Sequence, residues 1–61
     1  MKELDVVRLT NEFEGMTIGT EGTIVHKYND HTFEVEYFDA EGDTIDVFTT
    51  TDDILELIQS Y

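Results

Sequence analysis

Cysteine, proline and tryptophan are absent from this 61-residue chain, and basic side chains are scarce. Without cysteine, no disulfide can supplement the core and no four-thiolate zinc site can form. A domain of this length buries only about 60% of the surface that its unfolded chain exposes. We therefore expect a thin margin of stability, roughly 3–5 kcal/mol, supplied by a single core.

Long apolar runs, linkers and internal repeats are also missing from the sequence. No run approaches the roughly 20 apolar residues of a membrane-spanning helix. The opening residues, MKELDVVRL, lack the apolar segment and the cleavage site of a signal peptide. We therefore expect one domain, residues 1–61, located in the cytoplasm.

Positive charge is scarce as well, since Lys2, Arg8 and Lys27 oppose fifteen acidic residues for a net charge of −12. Affinity for nucleic acid depends largely on cations that contact phosphates. Anionic membranes attract basic segments for the same reason. The charge therefore argues against direct binding of nucleic acid or of a membrane, and it favours a basic protein as partner.

The sequence does contain clear β-strand patterning. Residues 32–38, TFEVEYF, alternate apolar and acidic side chains, which predicts a strand with one buried and one solvated face. Further strands are predicted at residues 5–9, 23–28 and 44–49, with a long loop at 10–22 and hairpin connections at 29–31 and 39–43.

Apolar positions in these segments predict the core. In strand 44–49 we expect Ile45 and Val47 to face inward and Asp46 to face outward. Phe13, Met16 and Ile18 are too apolar for a freely mobile loop, so we expect them to fold over one end of the core. The predicted core consists of Val7, Leu9, Ile18, Ile24, Phe33, Val35, Tyr37, Ile45, Val47, Ile54 and Leu57.

The C-terminal segment, TTDDILELIQSY, allows two interpretations. Thr51 or Asp52 could cap a helix, and three apolar residues follow at helical spacing. A segment of under about ten residues is marginal as an isolated helix, however. We favour one helical turn at 51–54 and a short closing strand at 55–58. The predicted fold is all-β: a small, five-stranded, partly open barrel.

Three stretches, GTEGTIVHKY, FEVEYFDAEGDTI and DDILEL, resemble a family of short, uncharacterised bacterial proteins of about this length. The family pattern covers nearly the whole chain, with a D-V-V start, G-x-x-G-T-I-V and Y/F-E-V-E-F strands, a D-x-x-G-x-T turn and a D-L-x-x-L finish. The resemblance implies an SH3-like barrel. The pattern is also similar to KOW-type modules of ribosomal and transcription proteins, and to the SH3-like domain of nitrile hydratase subunits.

These resemblances imply little about chemistry. KOW modules usually carry basic loops, which this chain lacks. The nitrile hydratase metal motif is cysteine-rich and lies on another subunit, so no catalytic residue carries over. Small acidic members of the bacterial family often look like partners of larger neighbours, including toxin-like proteins. The resemblance therefore implies a binding role.

The predicted binding site is an acidic face. Like charges close together on a sheet repel, and such a face steers the association of a basic partner. The simpler interpretation is solubility, although the net charge exceeds the magnitude of roughly 2–8 that is typical of a small domain. A row of carboxylates can also mimic nucleic acid. The acids concerned lie on two neighbouring strands and their turn: Glu34, Glu36, Asp39, Glu41, Asp43 and Asp46.

Two aromatic residues complete the predicted site. Phe38 and Phe48 fall out of phase with the inward positions of their strands, which predicts an exposed apolar spot beside the acids. The alternative is a bulge that turns one of them inward. Aromatic grooves for proline-rich peptides usually include a tryptophan, which is absent.

We expect no enzymatic activity, no cofactor and no metal. A barrel filled by side chains leaves no sheltered cleft for a carboxylate of raised pKa, and Ser60 is penultimate in the chain. The turn DAEGDTID departs from the EF-hand pattern, because position twelve is Thr50. His26, His31 and Asp30 lack a further clear zinc ligand.

The leading prediction is thus a non-enzymatic module that docks a basic protein partner, as an antitoxin, immunity or inhibitor protein. The alternative is an accessory barrel that pairs with an enzyme subunit or with itself, through an edge strand or Phe48.

Overall fold

A computed structural model describes residues 1–61 as five strands and one 3₁₀ turn. The strands are antiparallel and form one open sheet in the order β4-β3-β2-β1-β5. The predicted all-β fold, with five strands and one helical turn before the last of them, is confirmed. The elements are β1 (Val6–Leu9), β2 (Glu21–Lys27), β3 (Thr32–Phe38), β4 (Thr44–Thr51), the turn Asp52–Ile54 and β5 (Leu55–Gln59).

The C-terminal segment forms a strand rather than a helix. β5 pairs with β1, with Leu55 opposite Leu9 and Glu56 opposite Arg8. The preceding turn is anchored just after the first strand, because the Thr10 amide donates to the Ile54 carbonyl at 2.9 Å. No helix in the structure has the length and apolar character needed to cross a membrane.

The core is a single cluster that draws on both halves of the sheet. Buried residues of β1 and β5 pack together with those of β2 and β3, so the sheet wraps around one apolar interior. Six predicted core residues are confirmed, and Met16 and Leu55 complete the cluster. The confirmed residues are Val7, Leu9, Ile24, Phe33, Val35 and Tyr37.

The prediction of the core is wrong at four positions, Ile18, Ile45, Val47 and Leu57, where the side chains are exposed, and a fifth residue is only half-buried. Ile18 is 64% exposed, and it lies in the loop between β1 and β2. Leu57 is 45% exposed although it pairs with Val7, because β5 is an edge strand and no further strand covers it. Ile54 is half-buried and packs against the core. Ile45 and Val47, the other two exposed residues, lie on β4.

The faces of β4 are opposite to the prediction. Ile45 is 45% exposed and Val47 is 41% exposed. Residues directly opposite each other in antiparallel strands share a face. Phe48 lies opposite buried Val35, so Phe48 faces the core and its neighbour Val47 faces outward.

The loop of residues 10–20 contains a tight hairpin of its own. Phe13 and Met16 exchange two backbone hydrogen bonds, of 3.1 and 2.8 Å. Between them, Glu14 and Gly15 have φ values of 50° and 80°, as a type I′ turn requires. The turn buries Met16 and brings the Phe13 ring to 6.5 Å from that of Tyr37. The expectation that these two loop residues cover the core is confirmed.

Gly22 allows β2 and β3 to approach closely on the core side. It lies opposite Tyr37 in the register. A Cβ atom at this position would lie 2.6 Å from Val35 Cγ1 and 2.8 Å from the Glu36 carbonyl oxygen. Only glycine fits there without displacing β3.

A buried carboxylate holds the two ends of the chain together. Asp5 is 2% exposed and accepts hydrogen bonds from Lys2 Nζ at 2.7 Å and from Ser60 Oγ at 3.1 Å. The Lys2 hydrogen bonds, outweighing burial, lower the pKa of Asp5 to about 2. The contribution of this carboxylate to stability is therefore present above its ordinary pKa and is lost as the pH falls towards 2. Ser60 belongs to this structural cluster.

Candidate functional site

The outward face of β3 carries Glu34 and Glu36, as the alternation predicts. Both side chains are half-buried and engaged with β4. The Thr49 hydroxyl donates to Glu34, and the Thr44 hydroxyl donates to Glu36 Oε2 at 2.9 Å. On β4, Glu36 faces Val47 rather than another acid. Hydroxyl partners and a neutral neighbour thus limit the repulsion expected on this face.

The turn between β3 and β4 gathers three exposed carboxylates, which we call the acidic turn: Asp39, Glu41 and Asp43. One carboxylate oxygen from each lies within 4.8 Å of the others. Asp39 Oδ1 also accepts hydrogen bonds from the backbone amides of Glu41 at 2.9 Å and Asp43 at 3.0 Å. Gly42 completes the turn with a φ of 88°. Because all three side chains are exposed and one oxygen already serves the backbone, we assign no ion to this cluster.

Asp46 does not join Glu34 and Glu36, contrary to the prediction. The register places it opposite Tyr37, whose side chain belongs to the core face. Its carboxylate remains exposed near the end of the strand, and Asp46 Oδ1 accepts the Val47 amide at 2.7 Å. The predicted acids are therefore divided between two faces of the sheet.

Phe48 is not an exposed aromatic residue either. Its half-buried ring lies 5.9 Å from that of Phe13 and 6.4 Å from that of Tyr37. The hydroxyl of Tyr37 hydrogen-bonds Thr50 on the same face of β4 at 2.7 Å, and burial raises the pKa of this tyrosine. Phe48 therefore extends the core, and only Phe38 of the predicted pair faces outward.

Phe38 lies in the principal concave feature of the surface, an open groove with a volume of about 910 Å³. Its lining includes Val6 and Thr23, which lie opposite each other on β1 and β2. Residues 14–20 of the loop between β1 and β2 line the groove as well. Asp39, Ala40 and Gly42 of the β3–β4 hairpin and Ile45 at the start of β4 also line it.

The groove combines apolar and acidic side chains without a basic one. Its lining includes Met16, Ile18, Phe38 and Ile45, together with three acids. None of the sixteen lining residues is lysine, arginine or histidine, so the groove carries negative charge that no internal cation offsets. The three acids are Glu14, Glu21 and Asp39.

Every lysine and arginine lies beside a carboxylate elsewhere in the molecule. A cation that is already paired with an acid offers little field to a phosphate. The structure therefore contains no basic patch of the kind that binds nucleic acid. The pairs are Lys2 with Asp5 at 2.7 Å, Arg8 with Glu56 at 2.5 Å, and Lys27 with Asp30 at 3.5 Å.

The two histidines lie in separate environments. His26 Nδ1 is 3.8 Å from a carboxylate oxygen of Glu3, and its ring is 4.7 Å from that of Tyr28. His31 Nδ1 lies 3.0 Å from Asp52 Oδ2, and this hydrogen bond and charge raise the pKa of His31. Each imidazole thus has its own carboxylate neighbour.

Sequence reasoning missed the groove, and of its sixteen lining residues it placed only Phe38 and Asp39 in the binding site. Glu14, Glu21, Ile18 and Ile45 come from a loop and two strands that are distant in sequence. The only local signal was the apolar character of the loop, which we interpreted as a cover for the core. That interpretation holds for Phe13 and Met16 but not for Ile18.

The fold and this groove define a small, all-β, acidic domain. The chain matches the family model described as Domain of unknown function (DUF4926) over residues 3–57, and it belongs to this family. Neither a curated protein nor a solved structure matches the chain significantly. The resemblance to a family of small domains of unknown function is thus confirmed, while the SH3-like, KOW-like and bacterial parts stay predictions.

Proposed function

We propose that this chain is a non-enzymatic module that docks a basic protein partner. The observation that carries the proposal is the pairing of all three basic side chains with carboxylates. No lysine or arginine is left to offset the remaining acids of a chain whose net charge is −12. A basic protein is therefore the macromolecular partner that this surface attracts most strongly.

The acids are also placed where an approaching partner meets them. The acidic turn projects three exposed carboxylates from one hairpin, and the neighbouring groove adds Glu14 and Glu21. At physiological salt the screening length is about 8 Å, so clustered carboxylates act together on a nearby cation. Such a cluster raises the rate of association with a basic surface.

The partner we propose is a basic enzyme or toxin in the same cytoplasm, which the module inhibits or neutralises as an antitoxin or immunity protein. In one sub-case the acidic turn imitates the phosphates of a nucleic acid in a basic groove of the partner. The resemblance to small SH3-like bacterial proteins supports this role, because acidic members of that kind often accompany larger neighbours.

The test is to isolate the partner from the native host and to measure its binding kinetics. We expect a partner with a basic isoelectric point and an association rate that falls at least tenfold between 50 and 500 mM salt, as expected for electrostatic steering. Neutralising the acidic turn by Asp39→Asn, Glu41→Gln and Asp43→Asn should slow association and leave dissociation nearly unchanged.

The matched control removes the same charge from scattered exposed positions that contact no lysine or arginine, by Glu3→Gln, Glu12→Gln and Asp53→Asn. A smaller effect of this control would show that clustering matters. A neutral or acidic partner whose association ignores salt would overturn the proposal.

A second function, self-association as an accessory barrel, is favoured by the two edge strands. Ile45 and Val47 on β4 and Leu57 and Ile58 on β5 are exposed apolar residues on strands with only one neighbour. Exposed edges of this kind can pair with a second strand. Phe48 is not available for this contact, because its ring packs against Phe13 and Tyr37.

Sedimentation at low and high salt separates the two functions. Two copies of charge −12 repel, so a docking module stays monomeric at low salt. An apolar dimer persists at both salt concentrations, and Val47→Asn should dissociate it. A monomer under every condition would exclude self-association.

A further inference from the structure

The groove beside the acidic turn has properties that solubility alone does not explain. Ile18 and Ile45 line it and are 64% and 45% exposed. They come from different elements, the loop of residues 10–20 and β4. Apolar side chains that line one concavity typically mark an interaction site.

The exposure of the groove to solvent, rather than its volume, favours a segment of polypeptide over a small molecule. Its volume of about 910 Å³ lies near the upper end of the roughly 300–1,000 Å³ range of ligand pockets. It is open to solvent, whereas small-molecule sites bury most of their ligand. An extended segment can lie in an open groove while keeping one side in water.

The charges of the groove identify the kind of segment. Glu14, Glu21 and Asp39 contribute to the lining, and no basic residue does. A nucleic acid would meet only like charge there, and so would a second copy of this chain, whose own bases are paired. Lysine and arginine side chains of a protein segment complement these three carboxylates.

We infer that this groove is the docking site for a short cationic segment of the partner, with one apolar side chain of that segment against Ile18 and Ile45. The inference rests on the proposed function, since it specifies where and how the basic partner binds. The carboxylates provide steering and the apolar contact provides affinity, because buried apolar anchors usually carry more binding energy than peripheral charges.

The test uses a library of nine-residue peptides that contain lysine, arginine and one apolar residue at varied positions. A second library has the same apolar residue and glutamate in place of the bases. We expect the cationic library alone to yield binders, and their amide chemical-shift changes in the domain to concentrate at residues 14–23, 38–42 and 45. Fluorescence anisotropy then gives the affinity of one selected peptide.

Two double variants probe the groove, and one serves as a control. We expect Glu14→Lys with Glu21→Lys, and separately Ile18→Asn with Ile45→Asn, to weaken the peptide at least tenfold. All four residues are exposed, so the domain should stay folded. Glu12→Lys with Asp53→Lys makes the same change in charge outside the groove and should weaken binding less than threefold.

Each other outcome contradicts the inference in a recognisable way. If both charge reversals weakened peptide binding equally and the isoleucine variants had no effect, the peptide would be held by the overall negative charge and not by the groove. That result would contradict the groove assignment and leave the proposed function intact. Spermine is a polycation without the apolar side chain, so a selected peptide that binds no better than spermine would overturn the groove assignment. Enrichment of peptides from the glutamate library would do the same. Failure of the proposed function appears separately, as a native partner that is not basic and is insensitive to salt.

Discussion

β3 and β4 are neighbours in the sheet, but β3 is paired on both sides and β4 on one. In β3, Phe33, Val35 and Tyr37 are fully buried on one face. In β4 the only buried residue is Thr50, and the more apolar Ile45 and Val47 lie outside. A central strand is covered by its neighbours, whereas an edge strand takes its faces from the strand on which it pairs.

The difference between the two strands shows how register can outweigh apolar patterning. Burying the isoleucine and valine of β4 would favour the opposite facing, since a fully buried side chain of this kind contributes about 1.5–3 kcal/mol. The observed register instead places Phe48 inside and gives the Tyr37 hydroxyl a partner in Thr50. A buried tyrosine hydroxyl without a partner would be costly.

The sharpest test of this comparison is a matched pair of substitutions, Val35→Asp and Val47→Asp. An unpaired carboxylate at Val35, which is 0% exposed, should unfold the domain, because its cost exceeds a margin of roughly 3–5 kcal/mol. At Val47 the cost should stay below about 1 kcal/mol, mostly from repulsion by Glu36 on the opposite strand. Circular dichroism during thermal and urea unfolding measures both. Similar stability of the two variants would refute the assigned faces.

A smaller effect is expected from Gly22→Ala, which tests how tightly the core face of β3 is packed. The new methyl group would meet Val35 and the Glu36 carbonyl at less than contact distance, so we expect a loss of about 1–3 kcal/mol. Thr23→Ala changes the opposite face of the same strand and is the control, with an expected loss below that of Gly22→Ala. Urea unfolding of the two proteins gives the comparison. A neutral Gly22→Ala would mean that β3 can move away from β2.

Loss of the hydrogen bond between Thr50 of β4 and Tyr37 should destabilise the domain less than Gly22→Ala does. Thr50→Val removes the hydroxyl that bonds Tyr37 and should cost about 0.5–1.5 kcal/mol. In a double-mutant cycle with Tyr37→Phe, the two losses should be coupled, because both remove the same hydrogen bond. Strictly additive losses would show that this bond does not hold β4 in its register.

The smallest effect concerns the far ends of the two strands, where His31 precedes β3 and Asp52 follows β4. The Asp52 hydrogen bond raises the pKa of His31 above 6.5, so the charged imidazole stabilises the fold below that value. This contribution is lost as the pH rises through the higher, folded-state pKa. The midpoint temperature of the native protein should exceed that of His31→Gln slightly at pH 5.5, and the difference should vanish near pH 9. A difference independent of pH would exclude the ion pair as its cause.

The order and approximate bounds of the strands can be predicted from the sequence, but which side chains of the edge strands are buried cannot. The boundaries of β3 follow from its alternation, and the final strand follows from the limited length of the segment after residue 51. The residues of β4 alternate just as regularly, yet the face predicted to be buried is the exposed one. An alternation of period two shows that a strand has two different faces, but it does not show which of them is turned towards the core. Leu57 is exposed because β5 has no outer neighbour, a fact that no local pattern records.

The candidate site divides in the same way. Glu34, Glu36 and the acidic turn could be placed from the strand pattern and the hairpin. Asp46 and Phe48 could not, because the register shift between Tyr37 and Phe38 separates them from the outward face of β3. The groove depends on residues 14–23 meeting residues 38–45, and such a contact is set only when the sheet is assembled.

Composition and local pattern alone determined an all-β chain, one core, a strongly negative surface and the absence of any thiol chemistry. These properties depend on side-chain types and on the alternation of neighbouring residues, which every extended strand obeys. Only the tertiary structure decided which face of β4 is buried and which side chains share the groove, and only it showed that every lysine and arginine is paired. Those features arise from contacts between segments distant in the chain, where the pairing of a buried tyrosine can outweigh the burial of a valine.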